Sequence, residues 1–431
     1  MDTDEIIRQL KRENELLKGR IKELEAKLAM YENAHTPPSL KRNGNRKKDQ
    51  NEGGEKRPGQ KKGHNGVTRP PAKPDRQVEV TKDRCPDCGT ELGEPYSVES
   101  KIIEEIPEPQ PVTVTEYKIA HYTCPYCQKE VVATDASCPK EGIFGNNTIA
   151  QAALLKYEDR LPYRKIRNSL LRQYGLDISA ATILDITRRA ADAVQSVYDT
   201  ILDRVRNASI LHADETSIKV QGMKYWIWVF TTPSETFIVI RKSRGTKVLM
   251  EVLTRRFKGI IVCDGWKPYS SFTNRIQRCW AHLLRESKDL AEQIAEAVPL
   301  HQALTRLYQK LTDALESDPP PEIREKLLHN AQATLKRWIN RGYGNEKVKK
   351  LIGKIENGFE YWFTFVTHPG VEPTNNRTER ALREHVVQRK IIGTLRNGKG
   401  TSIHERIMTV LATWTQQGLN SLQMMRAMLS G

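Results

Sequence analysis

Two aspartates stand where apolar strands would not be expected to hold a charge. Asp214 interrupts "ILHADET", and Asp264 closes the run "IIVC". Taken singly, an acid at a strand end is a cap or turn former. Brought together on neighbouring strands, two such carboxylates repel unless a cation lies between them. A third acid, Glu379, lies in "GVEPTNNRTERALREHVVQRKIIGT". After Pro373, Thr374 or Asn375 can cap a helix that places Asn376, Glu379 and Arg383 on one face. Residues 375–406 hold eight Lys/Arg and three acids, and a carboxylate in so basic a helix suits work on a phosphodiester while its neighbours hold the backbone. The plain alternative is a surface Glu379–Arg383 pair one turn apart.

Four of the seven cysteines form matching pairs, Cys85-x-x-Cys88 and Cys124-x-x-Cys127, with 35 residues between them. Each Cys-Pro-x-Cys turn aims two sulfurs at one point, and two such turns suit one structural Zn2+ in a tetrahedral site. The intervening "KIIEEIPEPQPVTVTEYKIAHYTC" alternates like strands, as in a zinc ribbon. Cys138 and His121 break the spacing and are read as bystanders.

The elements that would position the acids come after Asn207. "ASILHADETSIKVQ", "KYWIWVFTT" and "ETFIVIRKS" read as three strands, and "TKVLMEVLTRRF" as a helix leading into the buried strand "GIIVCDGW". In that order the first and fourth strands can lie side by side and parallel, so Asp214 and Asp264 would meet. Trp226, Trp228 and Phe230 fall on one face of the second strand and Tyr225, Ile227 and Val229 on the other, a pattern of core on both sides. Upstream, "LPYRKIRNSLLRQYGLDISAATILDITRRAA" reads as helix, turn at Gly175, Ser179 as N-cap, then a second helix. That is the shape of a helix-turn-helix, and equally of an ordinary helical hairpin.

The chain has 431 residues, long enough for roughly three domains. Its 69 Lys/Arg against 53 Asp/Glu give a net charge of +16, which favours a polyanionic partner. Residues 36–76 carry twelve Lys/Arg and four acids, a net +8, with almost nothing apolar, and so read as a disordered basic arm that grips phosphates or, more plainly, as a solvated linker. Lys47, Lys48, Lys61 and Lys62 belong to it. Residues 6–31 read as heptads with Ile7, Asn14, Ile21 and Leu28 at a, and Leu10, Leu17, Leu24 and Tyr31 at d, a seam for a parallel homodimer or for packing within the chain. No apolar run approaches membrane-spanning length, and the charged N-terminus lacks a secretory core, so a cytoplasmic, nucleoid-associated protein without a membrane partner is expected. The expected divisions are a coiled coil over 1–35, the arm over 36–78, the ribbon over 79–140 and a helix-turn-helix-like region over 141–206. The sheet core over 207–285, a helical insertion over 286–372, the Glu379 helix over 373–400 and a helical tail over 401–431 complete them.

Together "HADET", "CDGW", "CWAHLLRE" and "PTNNRTERALR" resemble the motif series of the insertion-sequence-66-type transposases, DDE-class enzymes with an RNase H-like catalytic fold. The resemblance covers nearly the whole chain. It implies a multidomain α/β protein whose RNase H-like mixed sheet, interrupted by a helical insertion, follows coiled-coil, ribbon and helical DNA-binding parts. It places the family's acids on Asp214, Asp264 and Glu379, and its Cys-x-x-His element on Cys279 and His282. His282 is expected to be a neutral core histidine, or else to orient a nearby strand or steady the scissile phosphate, and Cys263 and Cys279 are not expected to bind metal. Asn375, Asn376, Arg380 and Arg383 are expected to support the site or position phosphates. Carboxylates without a histidine cage favour Mg2+ (or Mn2+), and two such ions serve in-line phosphoryl transfer on DNA. The resemblance implies water attack at element ends, then attack of the freed 3'-hydroxyl on target DNA, by a homo-oligomer, possible accessory element-encoded proteins included. A nuclease without strand transfer and a non-catalytic zinc-dependent DNA-binding regulator are the alternatives.

Overall fold

The alternation of apolar residues after Asn207 produces the sheet that organises the protein. The computed structural model describes residues 14, 15, 17–21, 72–135, 137–139 and 141–430. By contacts the chain divides into residues 1–108 and 109–431.

In the first unit, residues 14, 15 and 17–21 are helical, with Leu17 and Ile21 exposed on one face a turn apart. The other seam positions (Asn14 apart) and the arm lysines Lys47, Lys48, Lys61 and Lys62 lie outside the described residues. Cys85 opens a tight turn in which Gly89 N–H donates to Cys85 O (3.0 Å), closed by an Arg84–Glu91 bridge. Gly89 takes a left-handed φ of 74°, which a glycine adopts without strain.

The second unit repeats that turn at Cys124. Gln128 N–H donates to Cys124 O (2.9 Å), and Gln128 takes the same left-handed place with φ 58°. The flanking hairpin, β1 (His121–Thr123) against β2 (Glu130–Val132), holds the only strands among the described residues between 109 and 145. The expected strands over 101–120 do not form. Pro107, Pro109 and Pro111 remove ladder donors, and the alternating apolar residues stay exposed with no facing surface to bury them.

Helices α1 (Asn146–Tyr157), α2 (Tyr163–Tyr174), α3 (Ala180–Ala193) and α4 (Gln195–Arg206) follow. Gly175 ends α2 in the left-handed conformation, and Ser179 Oγ caps α3 by accepting from Thr182 N–H at 3.1 Å, as the sequence pattern expects. The exposed face of α3 carries Asp185 and Asp192, and Arg188 is spent on both, so the charge of this second helix does not favour a phosphate-lined groove. The basic face belongs to α2, with Arg164, Lys165 and Arg172 exposed.

The sheet has strand order β5-β4-β3-β6-β7, with β3 (Ile210–Val220), β4 (Met223–Thr231), β5 (Thr236–Arg241), β6 (Ile260–Cys263) and β7 (Ile276–Arg278). The first three are antiparallel, and β3, β6 and β7 run parallel. Helix α5 (Thr246–Leu253) makes the crossover and α6 (Lys267–Phe272) precedes β7. Trp228 and Phe230 are fully buried, but Trp226 is only partly so, because the sheet face opens near Arg244.

Period-two alternation divides β6 between two cores. Ile261 and Cys263 join a cluster with α1–α4 and the C-terminal helices, whereas Ile260 and Val262 join the helical insertion. That insertion comprises α7 (Trp280–Ala291), α8 (Ala297–Leu315), α9 (Pro321–Ile339), α10 (Glu346–Glu356) and the short α11 (Thr364–Thr367). It encloses Trp280, Trp362 and Phe363, and its break falls at "DPPPE" as expected.

Helix α12 (Asn376–Ile392) carries Glu379, and α13 (Gly398–Gln416) and α14 (Ser421–Ser430) complete the chain. Helix α13 covers the edge strand β5 with its side chains. Thr413 Oγ1, Thr409 Oγ1 and Glu405 Oε1 accept from the N–H groups of Thr236 (3.1 Å), Ile238 (3.0 Å) and Ile240 (2.8 Å). Four helical residues advance about 6 Å and two strand residues about 6.8 Å, so the two repeats match over this length. An edge that would otherwise offer unpaired donors to another chain is thereby closed.

Candidate active site

Strand register brings the two aspartates level. Ile210 pairs Ile260, Leu211 pairs Ile261 and His212 pairs Val262, an offset of 260 − 210 = 50 residues. The same offset sets Asp214 beside Asp264, two residues past the last paired position. Ile210, His212 and Asp214 share one face of β3, and Ile260, Val262 and Asp264 continue that face on β6. The acids therefore emerge where the parallel pair ends.

Each aspartate has one oxygen fixed by the backbone. Asp214 Oδ1 accepts from Glu215 N–H and Asp264 Oδ1 from Trp266 N–H, both at 2.8 Å. Among the described residues no protein group hydrogen-bonds Oδ2 of either. Burial first, then the charges of Glu215, Asp264 and Glu379, push the Asp214 carboxyl up to about 7. A carboxylate so disfavoured, with an open oxygen beside a second carboxylate, fits a divalent cation held by oxygen donors.

Glu379 comes from the opposite side. Asn375 is the N-cap position of α12, yet its side chain does not cap the helix. Its amide donates to Ala213 O at 2.9 Å, and its Oδ1 accepts from His212 Nδ1 at 3.2 Å. Its own backbone N–H donates to Cys279 Sγ at 3.2 Å. One buried residue thus fastens α12 to β3 beside Asp214 and to the start of α7. Asn375 is fully buried, so of the two expected roles, supporting the site or binding DNA, its position leaves the supporting one. Asn376, Arg380 and Arg383 are exposed around Glu379.

Asp264 and Glu379 each act electrostatically on Asp214, but the ligand oxygens of the three acids do not all lie within 4.8 Å of one another. Among the described residues, the group of His, Cys, Asp and Glu side chains with ligand atoms within 4.8 Å of one another is Cys279, His282 and Glu379. His282 Nδ1 lies 3.5 Å from Glu379 Oε1, and Arg285 lies 3.8 Å from Glu379 Oε2. The Nδ1 and Oε1 atoms are shielded from water and not aligned for a hydrogen bond, so neither has a partner. His282 is neither a core residue nor fully exposed, its side chain being 40% accessible. The expectation of a core histidine is corrected because its ring turns toward the α12 start.

Behind the aspartates lies a cluster that residue types alone do not reveal. The Glu215 carboxylate is fully buried, accepting from Arg244 Nε (2.7 Å) and Tyr269 OH (2.6 Å). The Arg244 guanidinium stacks between Trp226 at 4.6 Å and Trp266 at 4.2 Å. This assembly braces the turn after Asp264, since Trp266 also donates Nε1–H to Arg244 O at 3.2 Å. The adjacency of Glu215 to Asp214 was the available sequence signal; the partners are 29 and 54 residues away.

In each of the two cysteine turns one thiol is shifted by its local hydrogen bonds. Hydrogen bonds from Thr90 and Cys85 bring the Cys88 thiol down to about 7, and the Cys127 and Tyr126 N–H groups lower that of Cys124. His121 instead pairs Glu130 across the hairpin at 2.9 Å.

The sequence pattern of the Transposase IS66 family matches residues 141–403, or 263 of the 431. Two similar proteins come from Sinorhizobium fredii (strain NBRC 101917 / NGR234). Uncharacterized protein y4qI is 23% identical over 318 residues, covering 66% of this chain and 58% of its own length. Uncharacterized protein y4hP is 23% identical over 377 residues, covering 76% of this chain and 67% of its own. No helix among the described residues is long and apolar enough to cross a membrane. The family match includes the whole sheet, the insertion and the Glu379 helix, and the chain belongs to the IS66 transposase family.

Proposed function

We propose that the protein is a DNA transposase that cleaves element ends and joins them to target DNA, with Asp214, Asp264 and Glu379 as its acidic triad. The observation that carries this reading is the register of β3 and β6, which sets Asp214 beside Asp264 within the electrostatic reach of Glu379. The open oxygens of the two aspartates fit two Mg2+ (or Mn2+) ions. Such ions, when bound, activate an attacking oxygen and stabilise a leaving one in an in-line displacement.

The chain's own residues do the rest. The backbone N–H groups of Glu215 and Trp266 fix the orientation of each aspartate. Asn375 holds Glu379 at its distance from β3. The exposed Asn376, Arg380 and Arg383 grip the phosphodiester beside the acids, and the basic residues 36–78 hold the flanking DNA. Cys85, Cys88, Cys124 and Cys127 are proposed ligands of one structural Zn2+, on their spacing and on the lowered thiols of Cys88 and Cys124. Residues 6–31 are proposed to pair two copies so that two ends are held together.

Asp214→Asn, Asp264→Asn and Glu379→Gln are each expected to keep the fold and the binding of end DNA while losing Mg2+-dependent strand cleavage. Near wild-type cleavage by any of them removes that acid from the triad. Pre-cut ends supplied with target DNA separate a transposase from a nuclease: joined products are expected, and cleavage without joining overturns the transposase reading. Absence of metal-dependent nicking leaves only a DNA-binding regulator.

A further inference from the structure

Cys279 is the N-cap of α7 and His282 follows within its first turn, so both side chains leave the same side of the helix. Glu379 lies in the first turn of α12. The two helix starts face each other, joined by the Asn375 N–H to Cys279 Sγ contact; burial pushes the Cys279 thiol above its ordinary value and this contact offsets only part of that, so the thiolate needs a cation beside it. Within that junction a sulfur, a ring nitrogen and a carboxylate oxygen lie inside 4.8 Å of one another. The nitrogen and the oxygen are buried 3.5 Å apart and have no hydrogen-bond partner. Buried polar atoms are rarely left so, because each keeps its desolvation cost. A single cation shared by both removes the cost.

The donor types choose the cation. Thiolate and imidazole with one carboxylate suit a tetrahedral Zn2+ with a fourth position left to water, and a thiolate disfavours Mg2+. Ligands around zinc stand about 3.5 Å apart, so the three side chains need adjust by only about 1 Å. Glu379 is the residue shared with the proposed triad, and it cannot serve both sets at once. We propose that Cys279, His282 and Glu379 bind one Zn2+, and that this ion withholds Glu379 from Asp214 and Asp264. As the zinc–sulfur bond forms, the thiol proton passes to solvent. The site stands on geometry alone; the withholding rests on the transposase reading given above.

The test uses the full chain, stripped of zinc and titrated with Co2+. Thiolate absorption from Cys85, Cys88, Cys124 and Cys127 is common to wild type and Cys279→Ser, so their difference isolates Cys279. One equivalent of a saturable near-ultraviolet thiolate-to-cobalt band is expected in that difference. His282→Ala should bind this equivalent about tenfold or more weakly, Zn2+ should displace it, and about a thousandfold excess of Mg2+ should not. No difference band, or displacement by Mg2+, overturns the site, and His282→Ala keeps the test open should Cys279→Ser misfold. Zn2+ is then added to the Mg2+ cleavage reaction. Cleavage should fall at the concentration that displaces the cobalt, and full cleavage with the site filled overturns the withholding. If Mg2+ supports no cleavage even without zinc, the catalytic reading and the withholding fail together, and the cobalt band decides the site.

Discussion

At the scale of single residues, Asp214 is where stability and the proposed chemistry conflict. Its folded carboxyl titrates at about 7, above the unfolded value near 3.9, so the folded state binds the extra proton between those limits. Stability of the metal-free protein therefore falls as pH rises through that window and stays low above it. Asp214→Asn removes the term. Without metal at pH 8, the variant is expected to melt above wild type, by an amount on the order of 2 kcal/mol after solvent screening, with the gain vanishing near pH 4. Calorimetry at the two pH values checks this. An equal gain at both would mean that packing, not charge, separates the two proteins. Asn375 shows the converse case, a neutral residue whose two side-chain bonds to β3 and backbone N–H to Cys279 on α7 decide where a catalytic candidate stands.

Among the elements, α13 has a task that its composition does not announce. Thr409 Oγ1 accepts from Ile238 N–H and donates to Ile238 O, closing part of the β5 edge. Thr409→Val keeps the shape and orphans a buried N–H, so a loss of about 1–3 kcal/mol in urea unfolding is expected, with Thr409→Ser losing less. Helices α12 and α13 also bury His385 and His404 with ring centroids 5.8 Å apart. Burial lowers the first to about 4; burial, then the charges of His385 and Lys156, lower the second to about 3. Both lie below the unfolded value near 6.5, so the unfolded chain takes up protons first as pH falls. The stability these neutral rings allow is complete above about pH 6.5 and declines toward pH 4. A melting temperature that drops across this range, and drops less in His404→Gln, is the expected result.

For the whole molecule, charge is the property with the longest reach. The stretch 36–76 supplies +8 of the net +16. If it holds phosphates, deleting it should flatten the slope of log affinity against log salt, by several units for as many lost phosphate contacts. Fluorescence anisotropy with end DNA over a range of salt measures the slope, and an unchanged slope would make the stretch a linker. The two cores divide the remaining structure. The sheet and helices α1–α4 share one with the C-terminal helices, while the insertion keeps its own and meets the sheet through Ile260 and Val262.

The amino-acid sequence by itself determined whatever depends on local period and turn chemistry. The β3–β6 strand order, the Gly175 turn, the Ser179 cap and the start of α12 after Asn375 were all legible in it. The three-residue strand β7 was too short to show an alternation, and the expected strands over 101–120 had alternation but no surface to bury it. Tertiary structure alone decided how side chains distant in the chain are shared. Arg244 and Tyr269 gather on Glu215, Asn375 turns inward to β3, and Glu379 faces Cys279 and His282 as well as the aspartates. Periodicity fixes which face a residue takes, because it follows from the geometry of one element. Which partner waits at that face depends on the packing of several elements, and no single segment encodes it.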